Sequence, residues 1–162
     1  MSFADTINAF LQTLADLEQQ LTGLSKILID EQHALSEKNA TNIEQLAAKK
    51  FQLTGRIEQL ETERRQYCRH LQFGPDKKSL QKWLAHNNVP DKHRIAQYWK
   101  NISYLGQKCS TQNRLNGILV AHMERHTRDA LNILRGVLSE PEAYSNKGSH
   151  DTSQVKQIIA KA

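Results

Sequence analysis

Glycine and proline are scarce in this 162-residue chain, with 7 and 3 copies. All three prolines, Pro75, Pro90 and Pro141, fall late, so nothing before Pro75 forbids a long helix. Cysteine is limited to Cys68 and Cys109, widely spaced and without a CxxC partner, so they read as free thiols in a reducing compartment. No window approaches the roughly 18 consecutive apolar residues of a membrane span. The start, MSFADTINAF, lacks the basic region and apolar run of a secretory signal. The expectation is a cytoplasmic protein that does not insert into membranes. Catalytic signatures are missing too: there is no Ser-His-Asp or Cys-His pattern and no phosphate-cradling glycine loop. Neither an enzyme nor a cofactor is expected.

What is present is helix-forming sequence, dominated by Leu, Gln, Lys, Glu and Ala. From Phe3, apolar residues recur at Ile7, Phe10, Leu14, Leu17, Leu21, Leu24, Leu28 and Leu35, with Glu31 the one polar residue in the seam. Steps of four and three over more than four repeats make a heptad seam, and a helix of ~50 Å at about 1.5 Å per residue. A turn follows at SEKNATNIEQ, where Asn39 and Thr41 are cap residues and Glu44 completes a capping box with Thr41. A second seam runs through Ile43, Leu46, Lys50, Leu53, Ile57, Leu60, Arg64, Tyr67 and Leu71.

Folding the second seam back on the first pairs Leu35 with Ile43, Leu24 with Leu53, Leu17 with Leu60 and Ile7 with Leu71. The position numbers of facing residues sum to 77 or 78 in every layer (24 + 53, 7 + 71). An antiparallel hairpin over residues 3–72 requires that constancy, which one inserted residue would destroy. Glu31 and Lys50 then occupy adjacent layers and can pair, a charge placement that fixes register. Arg64 lays its methylenes on Leu14 and sends its head to water.

Gly74-Pro75 ends the second helix. Asp76 caps a short helix over residues 77–87, whose Leu80, Trp83 and Leu84 cover the bundle end. Asp91 caps a long helix over residues 91–138. Its core-facing arc carries Ile95, Tyr98, Ile102, Leu105, Cys109, Asn113, Asn116, Leu119, Val120, Met123, Leu131, Leu134 and Leu138. The fold expected is therefore all-α: a long antiparallel hairpin plus a third long helix, in one domain over 1–138, with a flexible tail over 139–162.

Two features of the long helix point beyond core packing. Asn113 and Asn116 make its inner arc locally polar, and Tyr104, Leu115, Ile118 and Ile133 form an apolar strip outside that arc. Apolar residues on two faces imply either full burial or a second partner, and a small bundle has too few elements to bury the helix. A site for an amphipathic helix of another protein follows.

The same helix holds HMERH, residues 122–126. A zinc protease needs H-E-x-x-H, with the glutamate directly after the first histidine. Here that position is Met123, and no third ligand accompanies His122 and His126, so no metal site is expected. The histidines read as a solvated helix face or as the rim of the strip.

Charge is uneven. Residues 1–63 carry 10 acidic and 5 basic residues, net −5, whereas residues 64–162 carry 17 basic and 7 acidic residues, net +10. A helical nucleic-acid-binding protein using the basic half is the alternative reading. The basic residues are scattered among polar ones without a recognition motif, which argues for no nucleic acid. In the tail, Val155, Ile158 and Ile159 make a brief amphipathic patch.

Taken in order, Leu28, Glu31, Ala34 and Leu35, the seam Ile43, Leu46, Lys50, Leu53, Ile57 and Leu60, the run NRLNGILV (113–120), the run ALNILRG (130–136), and Tyr144 with Gly148 resemble the FlgN family of flagellar export chaperones. The resemblance implies a cytoplasmic all-helical chaperone. Its cargo would be the C-terminal amphipathic helices of the hook–filament junction proteins FlgK and FlgL. It would deliver them to the type III export gate component FlhA. By the resemblance, cargo binding falls on Asn113, Asn116, Gly117, Leu119 and Met123, together with the strip of Tyr104, Leu115, Ile118 and Ile133 and the bordering His122. Gate docking falls on the tail around Tyr144. An elongated hairpin also allows a homodimer.

Overall fold

The computed structural model describes residues 2–138. Four helices follow in order: α1 (Phe3–Ser36), α2 (Ala40–His70), α3 (Lys77–His86) and α4 (Lys92–Leu138). By its contacts the chain divides into two units, residues 1–123 and residues 124 onward, with the division inside α4. The first unit holds α1, α2, α3 and most of α4.

The helix ends show why the chain turns where it does. Ser2 caps α1 in a reciprocal box with Asp5: the Asp5 amide donates to Ser2 Oγ at 3.1 Å and the Ser2 amide donates to Asp5 Oδ2 at 3.0 Å. At its other end Lys38 adopts φ 55°, its amide donates to Leu35 O, and the Asn39 amide donates to Ala34 O. This pair of bonds closes the last turn around a left-handed residue. Asn39 then opens α2, accepting from the Asn42 amide at 3.1 Å. One residue thus ends one helix and begins the next. The cap of α2 is Asn39, in place of the Thr41–Glu44 box expected from the sequence.

The end of α2 repeats the device with Gln72 at φ 61°, so the helix stops at His70, ahead of Gly74-Pro75. Gly74 has a different reason to be glycine. A Cβ there would stand 2.7 Å from Ser79 Oγ and 3.0 Å from Asp76 Oδ2, the pair that caps α3. Asp91, expected as a side-chain cap, sits at φ 56° and opens α4 through its carbonyl, which accepts from the amides of Arg94 and Ile95.

The hairpin has the expected register. Ile7, Phe10 and Leu14 pack with Leu71 and Tyr67; Leu17 and Leu21 with Leu60 and Ile57; Leu24 and Leu28 with Leu53. Each fully buried side chain among these, such as Phe10, Leu14 and Leu60, contributes on the order of 1.5–3 kcal/mol by leaving water. The base of the bundle holds the largest buried cluster. There Phe73 stacks on Trp83 with ring centroids 4.6 Å apart and meets Phe10 edge-on at 6.2 Å. Val89, Ile95 and Trp99 close this cluster.

Helix α4 runs parallel to α1. Asn101 donates to Glu18, Cys109 Sγ donates to Leu21 O at 3.5 Å, and Asn116 Nδ2 donates to Leu28 O and to Glu31 Oε2, both at 2.8 Å. Both cysteines are buried free thiols. Burial pushes each thiol up from its ordinary value, and the Arg64 guanidinium only partly offsets this at Cys68.

Candidate partner-binding face

Within the first unit α4 has two faces. The inner face carries Ile95, Trp99, Cys109 and Asn116, all buried. The outer face carries Tyr104, Leu115, Ile118 and His122, which the 3.6-residue period brings onto one stripe. Their exposure confirms that the stripe is turned outward: Tyr104 is 65% exposed, Leu115 40% and Ile118 54%, and His122 is exposed. Leu119 and Met123 are half-buried along its edge. In the second unit, Ile133 is 66% exposed. Tyr144 lies outside the described residues.

The two asparagines separate. Asn113 is exposed, and its Oδ1 accepts from Lys50 Nζ at 3.3 Å. Asn116 is 2% exposed and fully engaged: it donates to Leu28 O and Glu31 Oε2 and accepts from Gln112 Nε2 at 3.0 Å. Glu31 Oε1 receives Lys50 Nζ at 2.7 Å, and Gln112 also donates to Gln32 Oε1. Glu31, Lys50, Gln112 and Asn116 thus form one polar layer joining α1, α2 and α4. Among the described residues no buried side-chain nitrogen or oxygen lacks a partner. Such a satisfied network fixes register. Asn116 therefore presents no side chain to a partner in this arrangement.

The sequence reading placed Val120, Leu131 and Leu134 on the arc packed against the hairpin. They are instead 40%, 47% and 56% exposed. Val120 lies in the first unit near the level where α1 ends, and Leu131 and Leu134 belong to the second unit. The bonds linking α4 to α1 join residues 80 (Gln32 to Gln112) to 88 (Leu28 to Asn116) positions apart. Ser36, the last residue of α1, therefore lies level with roughly residue 121 of α4. Helix α4 continues to Leu138. These three positions enlarge the exposed apolar set, and for Val120 the signal was the end of the first seam at Leu35.

Arg64 also departs from expectation. Its head does not reach water but is buried, donating to both oxygens of Glu61 at 3.0 and 2.9 Å, with its guanidinium carbon 4.5 Å from the centre of the Trp99 ring. A planar cation on an aromatic face accounts for this burial. Among the described residues no three His, Cys, Asp or Glu side chains converge on a point that could hold a metal, and no helix is long and apolar enough to cross a membrane.

Within the first unit α4 is thus a long helix with an anchored inner face and an outward apolar stripe. Comparison with known proteins agrees with the family named from the sequence. The model of the FlgN protein family matches residues 1–152, which takes in all four helices. No curated protein and no solved structure matches the chain. With a family match over nearly its whole length, the chain belongs to the FlgN family of flagellar export chaperones.

Proposed function

We propose that this chaperone binds the C-terminal amphipathic helices of the hook–filament junction proteins FlgK and FlgL. It does so on the outward stripe of α4, in the cytoplasm, and delivers them to the export gate component FlhA. The observation that carries the reading is the exposure of Leu115 and Ile118 on a helix whose opposite face is anchored by Cys109 and Asn116. Amphipathic helices destined for a filament have apolar seams that would associate prematurely. A partner helix laid on Leu115, Ile118 and the half-buried Leu119 and Met123 covers such a seam, and the flexible Met side chain adapts to more than one cargo. In the second unit, taken by itself, the exposed Ile133 is a further apolar position for a partner. His122 supplies a polar group on the stripe and Tyr104 extends it toward the start of α4, while Asn113, bonded to Lys50 on the other side of the helix, braces it. Asn116 serves as support behind it. Release needs no nucleotide, because the gate can compete for the same surface, with Tyr144 as the gate-facing residue.

Calorimetric titration with a synthetic C-terminal helix of FlgK tests this. Saturable one-to-one binding that changes little between low and high salt is expected, and it should be lost in Leu115→Glu/Ile118→Glu. A two-to-two stoichiometry would indicate that a homodimer is the binding form. Binding unchanged in the folded double variant would refute the assignment of the stripe. Binding that collapses steeply with salt would favour the nucleic-acid type of electrostatic recognition instead.

A further inference from the structure

Away from the α4 stripe, the first unit carries two adjoining clefts that its own packing leaves open. One, about 470 Å³, is floored by Leu17, Leu21, Ile57 and Ile102. The other, about 350 Å³, lies between α3 and α4 over Leu80 and Leu84. Trp99, Lys77 and Ser103 line both, so Trp99 is the wall between them. Each volume falls in the roughly 300–1,000 Å³ range of ligand pockets.

The rim is cationic. Lys77 borders both clefts and Lys100 the second, and among the described residues neither pairs with a carboxylate. The one carboxylate of the first cleft, Glu61, is already engaged by Arg64. Gly106 opens onto the first cleft and, like Gly55 and Gly117, is a helical glycine at which a Cβ meets nothing, so a larger side chain can be placed there. It lies inside a 47-residue helix, where glycine is unfavourable.

We infer that these clefts form a second interaction surface, which takes a short acidic peptide segment. Two of its apolar side chains fill the clefts on either side of Trp99, and its carboxylates meet Lys77 and Lys100. Charge decides the occupant. The chain's own apolar tail patch, Ile158 and Ile159, is flanked by Lys156 and Lys161, which the cationic rim disfavours. The surface is separate from the proposed cargo stripe and does not depend on it.

The test is selection of a random 12-residue peptide display library on the full chain. Selected peptides are then synthesised and titrated against three variants. Gly106→Leu fills the first cleft and, because it relieves a helical glycine, melts at or above the wild-type temperature. Lys77→Glu/Lys100→Glu reverses the rim. Leu115→Glu/Ile118→Glu alters only the stripe. The expected result is a class of net-acidic peptides with paired Leu, Ile, Phe or Trp residues. Their affinity should fall at least tenfold in each of the first two variants and stay unchanged in the third. The proposal is overturned if no acidic class is enriched, if its binding survives Gly106→Leu and the charge reversal, or if peptides resembling the basic tail are selected instead.

Discussion

Two stretches of one helix, α4, carry similar apolar content to opposite ends. From Ile95 to Asn116 the helix places Ile95, Trp99 and Cys109 at 0%, 8% and 5% exposure in the bundle core. From Ile118 onward, Ile118, Val120, Leu131, Ile133 and Leu134 are all at least 40% exposed. No composition change marks the passage from one to the other. Within the first unit, what separates Ile118 from Ile95 is the face of the helix each occupies, the inner face being anchored through Asn116 to Glu31. An apolar residue on a helix therefore records that something covers it, without recording whether the cover comes from the same chain.

The largest effect that should separate the two stretches is on stability. Phe10→Ala, at the core that receives Ile95 and Trp99, should cost about 3–5 kcal/mol in chemical denaturation, whereas Ile133→Ser should stay within about 0.5 kcal/mol of wild type. Equal losses would mean that the outer residues are core after all. Next comes the polar layer. Asn116→Leu removes a donor from Glu31 and from the Leu28 carbonyl and should cost about 1–3 kcal/mol. Adding Glu31→Leu should cost less than the sum of the single changes, because the orphaned carboxylate goes with it. Simple additivity would show that the layer is not one network.

The smallest effect concerns the caps. Ser2 holds the Asp5 carboxyl, and Ser79 the Asp76 carboxyl, below the ordinary carboxylate range. Depressed values mean a contribution that is present above the unfolded-chain value and fades as pH falls through the folded one. Asp76→Ala should therefore lower the melting temperature slightly at neutral pH and not at all once the carboxylate is protonated. A difference that persists in acid would assign the effect to something other than the charged cap.

Much of this was legible in the sequence. The constant sum of facing seam positions gave the hairpin register and the Glu31–Lys50 pair, because antiparallel packing leaves a numerical trace. The runs around Asn113 to Val120 and Ala130 to Gly136 pointed to the family. Details set by three-dimensional neighbours were not legible. Arg64 turned inward because Trp99, 35 residues on, offers its ring face. The turns closed on Lys38 and Gln72, residues with no special left-handed preference, because the surrounding bonds over-determine them. Asn116 read as a polar position in the core-facing arc, but that its partners are Glu31 and the Leu28 carbonyl was not legible from its type alone.

Helix α4 holds its inner face in the bundle and keeps the apolar side chains of its outward stripe, Leu115 and Ile118 above all, for a partner. Amide hydrogen exchange along α4, with and without the FlgK C-terminal helix, tests this most directly. The expected result is slow exchange around Ile95 and Trp99 in both states, and exchange around Leu115 and Ile118 that slows strongly when the helix is added. Exchange around Leu115 and Ile118 that stays unchanged on addition, or protection on binding confined to the stretch around Ile95 and Trp99, would contradict that reading.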